Sequence, residues 1–67
     1  MNAYRLAICE DNDTIRAQLH SLCREVLNEI GVEHSIMDFS SAQELENLLE
    51  AENNPFDLLL LDIRWRV

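Results

Sequence analysis

An α/β fold, laid out strand-helix-strand-helix-strand around a parallel sheet, is predicted for this chain by three observations. Short apolar runs alternate with stretches of helical spacing, turn residues fall between them, and two of the runs end in acid. Alternation of this kind implies parallel strands joined by right-handed crossovers.

The first run, Tyr4 to Cys9, is short, mostly apolar and stopped by Glu10-Asp11, which suits a buried strand. From Asp13 to about Ile30 the spacing turns helical. Ile15, Leu19, Leu22, Cys23, Val26 and Ile30 recur at steps of three and four and form one apolar stripe. Asn12 or Asp13 can cap its start, and Gly31 is a natural stop. Glu33 to Phe39 reads as a second strand anchored by Ile36 and Phe39. Ser41 with Glu44 three residues on has the pattern of a capping box, and Leu45, Leu48 and Leu49 supply the buried side of the next helix. Asn53-Asn54-Pro55 ends it, because proline cannot continue the hydrogen-bond ladder. Phe56 to Leu61 is nearly all apolar, as in a strand covered on both faces.

Sixty-seven residues make at most one domain, with a small core and little stability to spare. The net charge of −8 comes from 13 acidic against 5 basic side chains, and lysine is absent. Direct binding to nucleic acid or an anionic membrane is therefore not expected, since both need clustered basic groups. Cys9 and Cys23 lie in apolar patterns without the spacing of a disulfide framework or a zinc site, and are read as reduced, buried thiols. The start resembles no signal peptide, and the run Leu58 to Leu61 is too short to span a bilayer, so a soluble cytoplasmic protein is expected. No Gly-rich phosphate loop, nucleophile elbow or zinc signature points to an enzyme.

Parallel strands bring their C-terminal ends to one edge of the sheet, where α/β proteins build their sites. The first strand ends at Glu10-Asp11 and the third at Asp62. Adjacent strands bring those three carboxylates together, an arrangement that repels itself unless a cation sits within it. Hard oxygen donors favour Mg²⁺ or Mn²⁺. A divalent ion held by Asp11 and Asp62 also draws a phosphoryl group toward Asp62, whose attack on phosphorus gives an acyl phosphate. The plainer alternative is that acids at strand ends are solvated loop residues or helix caps, and Asp13 is read as one. His20 and His34 fall away from the acidic edge and are assigned structural or solvated roles. Arg16, Gln18, Arg24 and Glu25 read as ordinary helix surface.

The stretch LAICEDNDTIRAQL, followed by DFSSAQEL and PFDLLLLDI, resembles the N-terminal half of a response-regulator receiver domain. It is most similar to the receivers of LytTR-type two-component regulators, over residues 4–63. The resemblance implies a flavodoxin-like fold cut to three parallel strands in the order 2-1-3. It also implies phosphorelay signalling with Asp62 as phosphoacceptor and a sensor histidine kinase as partner. Mg²⁺ is the implied cofactor, held weakly here. Its ligands by resemblance are Asp62 and Asp11, with Glu10 acting largely through water and Arg64 through its backbone carbonyl.

The sequence departs from the family in two ways. The hydroxyl residue of a fourth strand and the lysine of a fifth have no counterpart, which removes charge stabilisation and read-out together. The tail Arg64-Trp65-Arg66-Val67, residues 64–67, does not follow the family and is read as a frameshift. One base lost from the codons for Ile-Lys-Met-Ala-Gly-Met gives Ile-Arg-Trp-Arg-Val. With strand three at the sheet edge, self-association through Leu58 to Leu61 is expected, with Arg64 and Arg66 as weak gatekeepers. Two further alternatives stand beside phosphoacceptance. One is an interaction-only product that docks a kinase through its first helix without turnover, and the other is a non-functional truncated product.

Overall fold

A computed structural model describes residues 3–62, with the side chain of Asp62 outside the description. Five elements follow in the order β1 (Tyr4–Glu10), α1 (Asp13–Glu29), β2 (His34–Phe39), α2 (Ala42–Glu52) and β3 (Leu58–Asp62). The strands form a parallel three-stranded sheet in the order β2-β1-β3, as the sequence predicts. Among the described residues no helix is long and apolar enough to cross a membrane.

The central strand carries the core because both its faces are covered. Leu6, Ala7, Ile8 and Cys9 are all buried. Alternation along the strand sends Ala7 and Cys9 to the α2 face, where they meet Phe39, Leu45 and Phe56, with Leu48, Leu49 and Leu59 packed at the margin. Phe39 and Phe56 meet edge to face, with ring centroids 6.0 Å apart at 83°. On the other face Leu6 lies beneath Cys23 and Leu27 of α1.

Local chemistry explains the helix ends. Asn12 rather than Asp13 caps α1, its Oδ1 accepting from the Ile15 N–H at 3.0 Å. Gly31 at φ 76° closes the helix, while the Val32 N–H reaches back to the Leu27 carbonyl at 2.9 Å. A Cβ there would meet nothing within 4 Å, so glycine is needed for the backbone angle alone. Ser41 caps α2 through the Glu44 N–H at 3.3 Å, but the Glu44 carboxylate accepts from the Ser40 hydroxyl, at 3.1 Å, in place of the reciprocal capping-box bond. The end of α2 corrects the expectation built on Pro55. Asn53 and Asn54 turn left-handed, at φ 55° and 52°, and both N–H groups reach the Leu49 carbonyl before the proline is met. β3 starts at Leu58, later than expected, and Asp57 just before it binds β1 twice. Its Oδ2 accepts from the Arg5 N–H and its own N–H donates to the Arg5 carbonyl, each at 2.8 Å.

Two expectations about burial are corrected. No described residue of α1 is fully buried: Leu19, Cys23 and Leu27 turn inward, whereas Ile15, Leu22, Val26 and Ile30 are exposed. The helix lies mainly over β1 and β2, and among the described residues the flank of its stripe toward β3 faces an open groove beside Leu58. Nor is β3 covered on both faces, as its apolar run suggested, although its exposure agrees with the edge position expected from the strand order. It is an edge strand among the described residues, with Leu58 47% and Leu61 50% exposed.

Candidate functional site

The register of β1 against β3 sets Glu10 directly opposite Asp62 at the C-terminal end of the sheet. Neighbouring strands run about 4.8 Å apart, so these two positions are within reach of one shared ligand. Asp11 follows Glu10 as the chain leaves the sheet for α1. The three acids singled out from sequence are thus brought to one edge by their backbone positions.

Their surroundings differ. Glu10 is only 4% exposed, and its Oε1 accepts the Asn12 N–H at 3.1 Å, which holds the strand-to-helix turn closed. Asp11 is exposed and, with Glu10, Asn12 and Ile15, lines a polar cleft of about 250 Å³. The Asp62 carboxylate and the Arg64 carbonyl lie outside the described residues. Among the described residues no group of three or more His, Cys, Asp or Glu side chains is set to hold a metal ion.

Arg16 is not the ordinary surface residue that the sequence suggested. It is half-buried, with Nη1 donating to the Glu10 carbonyl at 2.8 Å and Nη2 bonded to Asp13 Oδ1 at 2.5 Å. Asp13 therefore opens α1 as the partner of this arginine and not as its cap. The i,i+3 spacing of Asp13 and Arg16 was a sequence signal for that pair. The bond to the Glu10 carbonyl had none, since it depends on how the turn folds back.

Cys9 lies buried one residue inside the edge. Burial pushes its thiol above the usual value of 9.0; Glu10, Glu44 and Asp11 push it further, and Arg16 opposes them. Glu44 thus adds to the negative charge near this edge, through the turn that opens α2. Cys9 and Cys23 are both free thiols; Cys9 is buried as expected, whereas Cys23 is only half-buried because α1 covers the sheet incompletely.

Compared with models of known families, with curated proteins and with solved structures, the chain matches none. The histidines stand apart from the acids. His20 Nδ1 lies 2.9 Å from both carboxylate oxygens of Asp38, tying α1 to β2, and His34 Nδ1 lies 2.9 Å from the Val32 carbonyl. Eighteen residues separate His20 from Asp38, which hid the pair from any periodicity argument.

Proposed function

We propose that this chain carries the phosphoacceptor edge of a two-component receiver, in which Asp62 takes a phosphoryl group from a sensor histidine kinase. The observation that carries this reading is the β1–β3 register, which sets Glu10 against Asp62 with Asp11 next in line. The resemblance of residues 4–63 to receivers of LytTR-type regulators adds the chemistry. A kinase partner of this type places the chain in the cytoplasm, and the chain accepts a group without being an enzyme in its own right.

The donor set fits Mg²⁺. Carboxylate oxygens are hard ligands, and the polar cleft beside Asp11 leaves room for the water that this ion keeps. By the resemblance, Asp11 and Asp62 would hold the ion, with Glu10 acting through water and the Arg64 backbone carbonyl as a further donor. When bound, Mg²⁺ neutralises the acids and polarises the phosphoryl oxygens. An Asp62 carboxylate oxygen forms the new bond to phosphorus as the bond from phosphorus to its donor breaks. The electron pair leaves with the donor, and the product is an acyl phosphate. Glu10 holds the turn through the Asn12 N–H, so Asp11 leaves the sheet in one fixed direction.

A second reading, self-association through β3, is supported by a separate observation. An apolar groove of about 270 Å³ runs beside this edge between α1 and the sheet, lined by Tyr4, Leu6, Leu22, Val26 and Leu58 among others. Exposed apolar surface next to an unpaired strand favours pairing with another chain. The exposed Ile15, Leu22 and Val26 also make α1 the natural docking strip for a kinase.

Mass spectrometry after incubation with Mg²⁺ and acetyl phosphate tests the first reading. A phosphoryl adduct that Asp62→Asn abolishes is expected. A folded chain, judged by circular dichroism, that takes up no phosphoryl group would refute phosphoacceptance.

A further inference from the structure

Three of the four residues 10–13 are acidic, and they sit where a strand turns tightly into a helix. Arg5 lies at the opposite end of β1, and Arg24 lies two turns further along α1. Among the described residues, Arg16 is therefore the basic side chain that reaches this turn. Its guanidinium spans the turn, with one nitrogen on the Glu10 carbonyl and the other on the Asp13 carboxylate. The side chain is 19% exposed, so its charge is screened less than that of a free surface arginine.

We propose that Arg16 is a positioning residue, a fixed counter-charge that holds the acidic turn together when no divalent ion is bound and weakens the attraction for that ion. The inference rests on the proposed cation site for its second half, and on geometry alone for its first. A guanidinium on the Glu10 carbonyl and the Asp13 carboxylate places positive charge beside the turn while the exposed Asp11 carboxylate stays open to an ion, so an ion and the arginine can be present together. Each then reduces the attraction felt by the other.

A purely structural clamp and a counter-charge make opposite demands on the variants. Losing a clamp lowers stability at every salt concentration and loosens ion binding along with it. Losing a counter-charge lowers stability mainly at low salt, where repulsion among the acids is unscreened. It also tightens ion binding, because one opposing charge is gone.

The experiment compares the 67-residue chain with Arg16→Gln and Arg16→Lys. Thermal unfolding without divalent ions is followed in low salt and in 1 M NaCl, and Mg²⁺ titration calorimetry is run on each. The counter-charge predicts that Arg16→Gln unfolds at a lower temperature in low salt, and that most of this difference disappears in 1 M NaCl. Arg16→Lys, which keeps the charge, stays near the parent. Mg²⁺ then binds Arg16→Gln about three- to tenfold more tightly than the parent, the size expected for one charge removed at partly screened range. An equal loss of stability at both salts, or weaker Mg²⁺ binding by Arg16→Gln, overturns the inference. If the parent gives no Mg²⁺ signal that Asp11→Asn removes, the cation reading fails, while the salt arm still decides the role of Arg16.

Discussion

Replacing Leu45 by alanine tests whether one side chain anchors the second helix. Leu45 is the single fully buried residue of α2, 4% exposed, against Ala7, Cys9, Phe39 and Phe56. Buried leucine-to-alanine changes cost about 2–5 kcal/mol. A value of about 3 kcal/mol suits this site, since Leu48 and Leu49 are only half-buried and can shift into part of the space. Folded chains hold about 0.05–0.15 kcal/mol per residue, so 67 residues supply about 3–10 kcal/mol, with a small core favouring the low end. The substitution thus removes between about a third and all of the stability. At about 4–8 °C per kcal/mol for a chain of this size, the melting temperature should fall by about 12–24 °C. Thermal unfolding followed at 222 nm reads this directly. Leu48→Ala, at a half-buried position on the same helix, should cost about half as much. A drop of less than about 4 °C for Leu45→Ala, or an equal drop for both variants, would refute the claim that Leu45 is the anchor.

Three further outcomes are expected. The Cys9 thiol titrates above 9.0 when folded, so thiolate forms first in the unfolded chain; its stabilising effect is complete below pH 9 and is lost as pH rises past it. Urea midpoints from pH 8 upward should therefore fall less steeply in Cys9→Ala than in the parent, and an unchanged slope would assign the alkaline loss to another group. Asn53 sits left-handed at φ 55°, so Asn53→Val should cost about 1–2 kcal/mol and Asn53→Gly should be neutral or stabilising, by chemical denaturation. Leu58→Lys puts charge on the exposed edge strand and should lower the average mass in sedimentation equilibrium; an unchanged mass would place self-association elsewhere.

Sequence by itself determined the order of elements, the parallel sheet and the acidic positions at its C-terminal edge. Each follows from local rules: the switch in apolar spacing, a cap at Asn12 or Asp13 and another at Ser41, a stop at Gly31, and the direction that parallel strands impose on their ends. Where the reading fell short, the cause was competition between neighbours that a one-dimensional pattern does not show. Pro55 marked the region where α2 stops, but the two left-handed asparagines before it had already closed the helix. The α1 stripe was visible as periodicity, yet periodicity cannot say how much sheet lies beneath it. Ile15, Leu22 and Val26 are exposed because the sheet is narrow on that side. The same edge leaves Leu58 and Leu61 open despite their wholly apolar run.

Tertiary structure alone decided the residue-to-residue pairing. The β1–β3 register turned two acid-ended strands into an opposed pair, Glu10 against Asp62. Register depends on how all three strands and both helices pack at once. The same folding back brought Arg16 onto the Glu10 carbonyl and His20 onto Asp38. Charges such as these look like solvated surface in a sequence, because their partners are fixed only when separate elements are placed in space.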